Sequence, residues 1–311
     1  MTEHLHQLRA RAGSLVRPLL PKRWRADAPV VPVVRLSGVI GFSTPLRPGL
    51  TLAGIARALD RAFGMRRARA IALAINSPGG SAVQSHMIFQ RIKQLASEKS
   101  LPVIGFCEDV AASGGYMIAC AADEIVCDPS SIVGSIGVIG ASFGFQDAIK
   151  KLGVERRVYT AGENKSSLDP FLPEDPQDVD RIKAIQAEIH ESFIALVKGS
   201  RGSKLTGPEK TLFSGQYWVG RQAVAYGLAD RLGDLRSVLR ERFGEDVRTP
   251  LISSERGWFG RRAQGIQGIQ GIHGIQGIGS QMGGDVWTLP GLADELISAV
   301  EARAIWARFG L

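Results

Sequence analysis

The residues best placed for chemistry lie in three Gly-rich turns, each expected to follow a strand: Asn76-Ser77-Pro78-Gly79-Gly80, Ala111-Ala112-Ser113-Gly114-Gly115-Tyr116 and Gly134-Ser135-Ile136-Gly137-Val138. In open α/β sheets, ligands bind beyond the carboxyl ends of the strands, which is where such turns fall. Ser113 stands between Ala112 and Gly114 at the expected start of a helix, an uncrowded hydroxyl with helix N–H groups close enough to steady an anion. A serine in that place either attacks a carbonyl or caps its helix, and position alone leaves both open.

A nucleophilic serine needs a base. The histidines are His4, His6, His86, His190 and His273, and His86 leaves a His-dependent mechanism open without favouring it. The other base for such chemistry is lysine. Lys165, in Ala161-Gly162-Glu163-Asn164-Lys165-Ser166-Ser167, is either that base or a solvated loop residue. To act as a base it must be uncharged, so burial has to drive off the proton that water would let it keep.

The elements that would position these residues alternate. β-rich runs at 30–36, 70–76, 102–107, 124–127 and 155–160 are separated by helical stretches at 50–63, 82–97, 113–121 and 145–152. That order predicts an α/β fold with mostly parallel pairing. After Pro176, Val179, Ile182, Ile185, Ile189, Phe193 and Leu196 recur at three and four residues, so one longer helix with a single apolar stripe is expected, stopping near Gly199. The uncharged run from Pro129 to Gln146 reads as buried core rather than a membrane span, because Ser and Gly interrupt it.

Composition excludes several classes. The chain has 311 residues, ample for a real core, and its net charge of +8 comes mostly from the first 25, which hold six basic side chains and one acid, Glu3. The remainder is too weakly basic for a nucleic-acid-binding face. Cys107, Cys120 and Cys127 are odd in number and lack Cys-x-x-Cys spacing, so neither a disulfide framework nor a zinc site is suggested and a reducing compartment is expected. The expected organisation is a basic amphipathic arm at 1–29, a main domain at 30–245, a flexible Gly-Ile-Gln-rich linker at 246–284 and a C-terminal apolar helix at 285–311. The arm carries no secretory signal pattern and no spanning helix, and it is either a solvated arm or one that adsorbs to an anionic membrane surface.

Five ordered motifs, the three turns with Gly162 to Ser166 and Ser214-Gly215-Gln216-Tyr217-Trp218-Val219-Gly220 leading to Ala223 and Tyr226 to Asp230, resemble the signal peptide peptidase A family of serine proteases in its short single-domain form. The resemblance runs from about Val30 to Leu235. It implies the fold of the Clp peptidase and the crotonases, a spiral of repeated ββα units. It implies that Ser113 is the acylating nucleophile, that Lys165 is its base and then the acid for the leaving amine, and that Ser135 orients the Lys165 amine. The backbone N–H groups of Gly80 and Gly114 would hold the oxyanion, and no metal or cofactor is required. In that family the serine and lysine meet across protomers or tandem copies, so a homo-oligomer acting on apolar peptides, such as signal peptide remnants, is implied. Members commonly carry an N-terminal membrane helix. The basic arm stands in its place here, which points to the cytoplasm or the inner membrane surface.

Two other readings compete. A crotonase-like enzyme would use the same oxyanion hole on an acyl-thioester with a Glu or Asp base, and a non-catalytic oligomeric scaffold would keep the fold without the chemistry. A phosphate-binding loop at 162–166 is disfavoured, since Asn164 rather than glycine precedes the lysine. If the C-terminal helix fills a neighbour's groove, deleting residues 264–311 alters assembly or activity.

Overall fold

In the computed structural model, which describes residues 28–41, 49–253, 300 and 303–310, strands and helices alternate as expected. The strands are β1 (Val33–Ser37), β2 (Ile71–Ser77), β3 (Val103–Ala112), β4 (Glu124–Cys127), β5 (Ile132–Gly134), β6 (Tyr217–Val219), β7 (Arg231–Leu232) and β8 (Leu251–Ile252). The helices are α1 (Leu52–Phe63), α2 (Ala82–Lys99), α3 (Gly114–Ala119), α4 (Gln146–Lys151), α5 (Pro176–Arg201), α6 (Glu209–Leu212), α7 (Gly220–Ala225) and α8 (Leu235–Phe243). They build one sheet in the order β6-β5-β3-β2-β1-β8, with β4 and then β7 branching from β3. Every pairing is parallel except β5 with β6.

The branch is made by β3. Its first half, Ile104 to Cys107, pairs with β4, and its last residues, Val110 to Ala112, pair with β5. Against β2 the register jumps, Ile75 facing Cys107 but Ser77 facing Ala111, so β3 carries extra residues at that point. Such a bulge bends a strand and re-aims the residues beyond it. Asn76 braces the bend, its Nδ2 donating to Asp109 (2.6 Å) and its Oδ1 accepting from the Val110 N–H (3.3 Å). The same plan recurs upstream. Each of β1 and β2 is followed by a short second β contact, the Ile40–Gly80 bridge, and then by a helix, which gives the expected repeated ββα units.

Local sequence sets the helices. Thr51 and Ser81 cap α1 and α2 by accepting from the N–H of Gly54 and Gln84, and Asp175 caps α5 with Pro176 in its first turn. Ile55, Ala58, Leu59, Ala62 and Phe63 put the apolar stripe of α1 into the main core, with Ile88 and Ile92 of α2 beside them. Each such large side chain contributes about 1.5–3 kcal/mol by leaving water. The opposite face of the sheet, with Val33, Ala72, Ile104 and Phe106, is covered by Val238 and Leu239 of α8.

Three expectations need correction. Residues 155–160 form no strand and are exposed, since no neighbour among the described residues pairs with them. The run from Pro129 to Gln146 is core only as far as Ile136, and Ile139, Phe143 and Phe145 are exposed. α5 continues past Gly199 to Arg201, and its stripe is only partly covered: Phe193 and Val197 are buried, whereas Ile185 is exposed. Of the C-terminal segment, residues 303–307 are helical, and Phe309 is buried against Val110 and Ala112 with Trp306 beside it. Of the linker expected at 246–284, residues 246–253 are described, and Leu251–Ile252 among them pair with β1 as β8, whereas residues 254–284 and the basic arm to residue 27 lie outside the described residues.

Candidate active site

Ser113 occupies the turn between the end of β3 and the start of α3, with φ 52° and ψ −121°. A non-glycine residue there costs on the order of 1–3 kcal/mol, and such strain clusters at functional sites. Its hydroxyl makes no capping bond to α3, so the helix-cap reading of this serine fails. The turn is fixed through its backbone instead: the Ser113 N–H donates to the Gly134 carbonyl at 2.8 Å, and its carbonyl accepts from Met117 at 2.9 Å. Ser113 is half-buried at the surface of an otherwise buried α3.

The first Gly-rich turn packs directly on it. A Cβ on Gly79 would lie 2.8 Å from the Ser113 Cβ, and one on Gly114 would lie 2.2 Å from the Ser85 Oγ. Gly80, at φ 141°, runs alongside Ile40: the Ile40 N–H donates to Gly79 and the Ser81 N–H donates to Ile40, both at 2.8 Å. Those two bonds flank Gly80, so its own N–H is directed to the other side, as alternation along an extended chain requires. The Gly114 N–H is the first of α3 and has no partner within the helix. Among the described residues neither N–H donates a hydrogen bond, which leaves two donors beside the Ser113 turn for a developing oxyanion.

Ser135 leaves β5 next to it. It is buried, has φ 54°, and its N–H donates to the Gln216 carbonyl at 2.7 Å. The carbonyl of the next residue, Ile136, lies 3.1 Å from His190 Nε2, and because a carbonyl only accepts, the imidazole N–H is the donor. The sequence offered no sign of this contact. His86 is exposed, sits 3.3 Å from Gln90, and lines a cleft of about 560 Å³ with Lys93, Asp123 and Ser192, of which Ser113 is not part.

Lys165 lies on an exposed turn whose N–H donates to the Gly162 carbonyl at 3.2 Å. Among the described residues no hydrogen bond joins it to Ser113 or Ser135. One chain therefore brings together Ser113, Ser135, Gly80 and Gly114, and Lys165, on its exposed turn, shares no hydrogen bond with them among the described residues. The turn around Lys165 is tied to the start of α5: Arg181 donates to Asn164 Oδ1 (3.2 Å), Ser167 Oγ (3.1 Å) and Asp178 (2.6 Å), and Asp178 accepts from the Leu168 N–H (3.0 Å).

Behind the serine, the Tyr116 hydroxyl donates to the Leu228 carbonyl at 2.9 Å, and buried Arg201 makes a two-pronged pair with Asp230 at 2.8 and 3.0 Å. Burial pushes the Asp230 carboxyl up, but hydrogen bonds from Arg201, Lys204 and the Ile125 N–H outweigh it and hold the group below its ordinary range. The three cysteines are buried and unpaired, and desolvation raises their thiols, to about 12 for Cys120 and about 11 for Cys127, so none serves as a nucleophile near neutral pH.

The site is thus a strained serine where a strand of a mostly parallel sheet turns into a helix. Residues 95–244 match the model described as peptidase family S49. The chain is 51% identical over 298 residues to a Brucella abortus protein named Na(+)/H(+) antiporter NhaA, covering 96% of this chain and 39% of that protein. It is 35% identical over 192 residues to Protease 4 of Haemophilus influenzae, covering 60% of this chain and 30% of the relative. The chain thus spans well under half the length of either. A solved structure, the 1510-N membrane-bound stomatin-specific protease, aligns with TM-score 0.41 and 18% identity over 74% of this chain and 95% of that one. Among the described residues no helix is long and apolar enough to cross a membrane.

Proposed function

We propose that this chain is a serine endopeptidase that cuts apolar peptides, with Ser113 as nucleophile and Lys165 as base. The observation that carries this reading is the strained, uncapped Ser113 beside two unengaged backbone N–H groups, in a stretch that matches the S49 peptidase family. The Lys165 amine takes the Ser113 Oγ proton while Oγ attacks the peptide carbonyl, and the oxyanion rests on the Gly80 and Gly114 N–H groups. The tetrahedral species collapses to an acyl-enzyme, and the Lys165 ammonium returns its proton to the departing amine. Water, deprotonated by the same amine, then releases the acyl group. Ser135 orients that amine. Signal peptide remnants are the substrate class that the motif resemblance favours.

Lys165 serves the Ser113 of a neighbouring copy. Two observations support this. Within one chain, the Lys165 turn is held at Arg181 and the Ser135 turn at His190, positions about 13.5 Å apart along α5 at 1.5 Å per residue. Exposed Val154, Val158, Tyr159, Leu168 and Leu172, in the same stretch of chain as Lys165, also leave apolar surface that lacks a cover among the described residues. Covering that surface in an oligomer would supply the dry setting a neutral amine needs. The basic arm of residues 1–29 supports a place in the cytoplasm or at the inner membrane surface.

The test is cleavage of a fluorogenic apolar peptide by the full chain, with size-exclusion chromatography on the same samples. Ser113→Ala and Lys165→Ala should each lose at least about a thousandfold in rate. Mixing the two inactive variants should restore activity, because half of the mixed interfaces join an intact serine to an intact lysine. Retained cleavage in Ser113→Ala or Lys165→Ala would remove the dyad, and an inert wild-type oligomer would favour a scaffold.

A further inference from the structure

We propose that Asp178 and Arg181, on the first turns of α5, are the positioning residues of Lys165, an inference that rests on the Ser113–Lys165 reading above. Lys165 has no fixed element of its own, since it lies between Gly162 and Leu168 in a turn without strand or helix. Such a turn, exposed and closed only by its own local bonds, would leave a base free to wander. The residues that bracket it are nevertheless held from outside. Arg181 spans the turn, one nitrogen donating to Ser167 Oγ and the other to Asn164 Oδ1, so the guanidinium grips both sides of Lys165 at once. Asp178 closes the grip by accepting from the Leu168 N–H with one oxygen and from Arg181 with the other. Leu168 itself has φ 57°, a left-handed conformation that the Asp178 bond helps to hold.

The fork of the guanidinium matters because two acceptors on opposite sides of the turn need two donors in one rigid plane, which a lysine ammonium cannot present. The anchor is itself rigid: Asp175 and Pro176 start α5, and Phe193 and Val197 seat its far end in the core. Placement of a base within about an ångström decides its effectiveness, and a misplacement of that size costs about a hundredfold in rate.

The experiment uses the full chain and the peptide assay. Arg181→Ala should lower kcat by about a hundredfold with KM within about twofold, without change of oligomeric state or melting temperature, as suits a half-exposed surface residue. Arg181→Lys should stay impaired, and added guanidinium ion should restore part of the rate of Arg181→Ala. A double variant, Asn164→Ala with Ser167→Ala, removes the acceptors instead and should reproduce the loss. Unchanged kcat in Arg181→Ala, or normal kcat in the double variant, would overturn the positioning role while Lys165→Ala remains inactive. Should Lys165→Ala itself be fully active, the dyad reading fails first, and the two failures are told apart.

Discussion

Ser113 and Ser135 leave neighbouring parallel strands side by side, each with a left-handed backbone, φ 52° and 54°, and the Ser113 N–H donates at 2.8 Å to the residue just before Ser135. Two strained serines in adjacent turns persist only where the surroundings over-determine them. Here the determinants are visible: the bulge of β3, the Gln216 carbonyl, the His190 imidazole and the packing of Gly79 on Ser113. The hydroxyls are thus placed before any substrate arrives.

Gly80→Ala tests the oxyanion turn. A Cβ there would come within 2.1 Å of the Ile40 carbonyl, and φ 141° suits glycine, so the segment must shift away from Ile40. We expect a loss of about 1–3 kcal/mol in stability and a fall in kcat of about a hundredfold, the size seen when one oxyanion donor is misplaced. Denaturant unfolding and the peptide assay measure the two, and an undisturbed kcat would remove Gly80 from the site.

The Arg201–Asp230 pair should make stability depend on pH in the acid range. The folded state holds the Asp230 carboxyl below the ordinary value near 3.8, so its contribution is complete above that value and falls away as pH drops through the depressed one. Asp230→Asn leaves a buried guanidinium without its counter-charge and should cost about 3–5 kcal/mol at pH 7. The gap between wild type and variant should narrow below about pH 4. Urea titrations at pH 7, 5 and 3 would read it, and a gap of constant size would contradict the assignment.

Phe309 should matter for the strand that carries the serine. It is 7% exposed, packs on Val110 and Ala112, and meets Tyr217 edge-on at 5.1 Å, while the Tyr217 hydroxyl donates to the Arg308 carbonyl at 3.2 Å. Phe309→Ala should therefore destabilise the chain by about 3 kcal/mol and weaken cleavage, because Ala112 directly precedes Ser113. Equal melting temperatures for the variant and the parent would show that this contact does not matter in solution.

Much of the fold was legible. The apolar runs that became β1, β2 and β4 and the stripe of α1 stood out, because alternation and three-four spacing are written in consecutive residues. The stretch 155–160, with β-favouring Val158, Tyr159 and Thr160, is no strand, since a strand also needs a neighbour, and no described residue pairs with it. The fork in β3 was equally hidden, because it depends on Asn76 bracing a bulge more than thirty residues away.

By itself the sequence determined the alternation of strands and helices, the Gly-rich turns and the chemical types standing in them, all properties of short runs of chain. Only the tertiary structure decided that Ser113 is strained and does not cap its helix, that His190 supports the Ser135 turn, and that Lys165 is exposed on its turn. Backbone strain, burial and the meeting of two side chains depend on which distant segments pack together, and local periodicity carries no record of that.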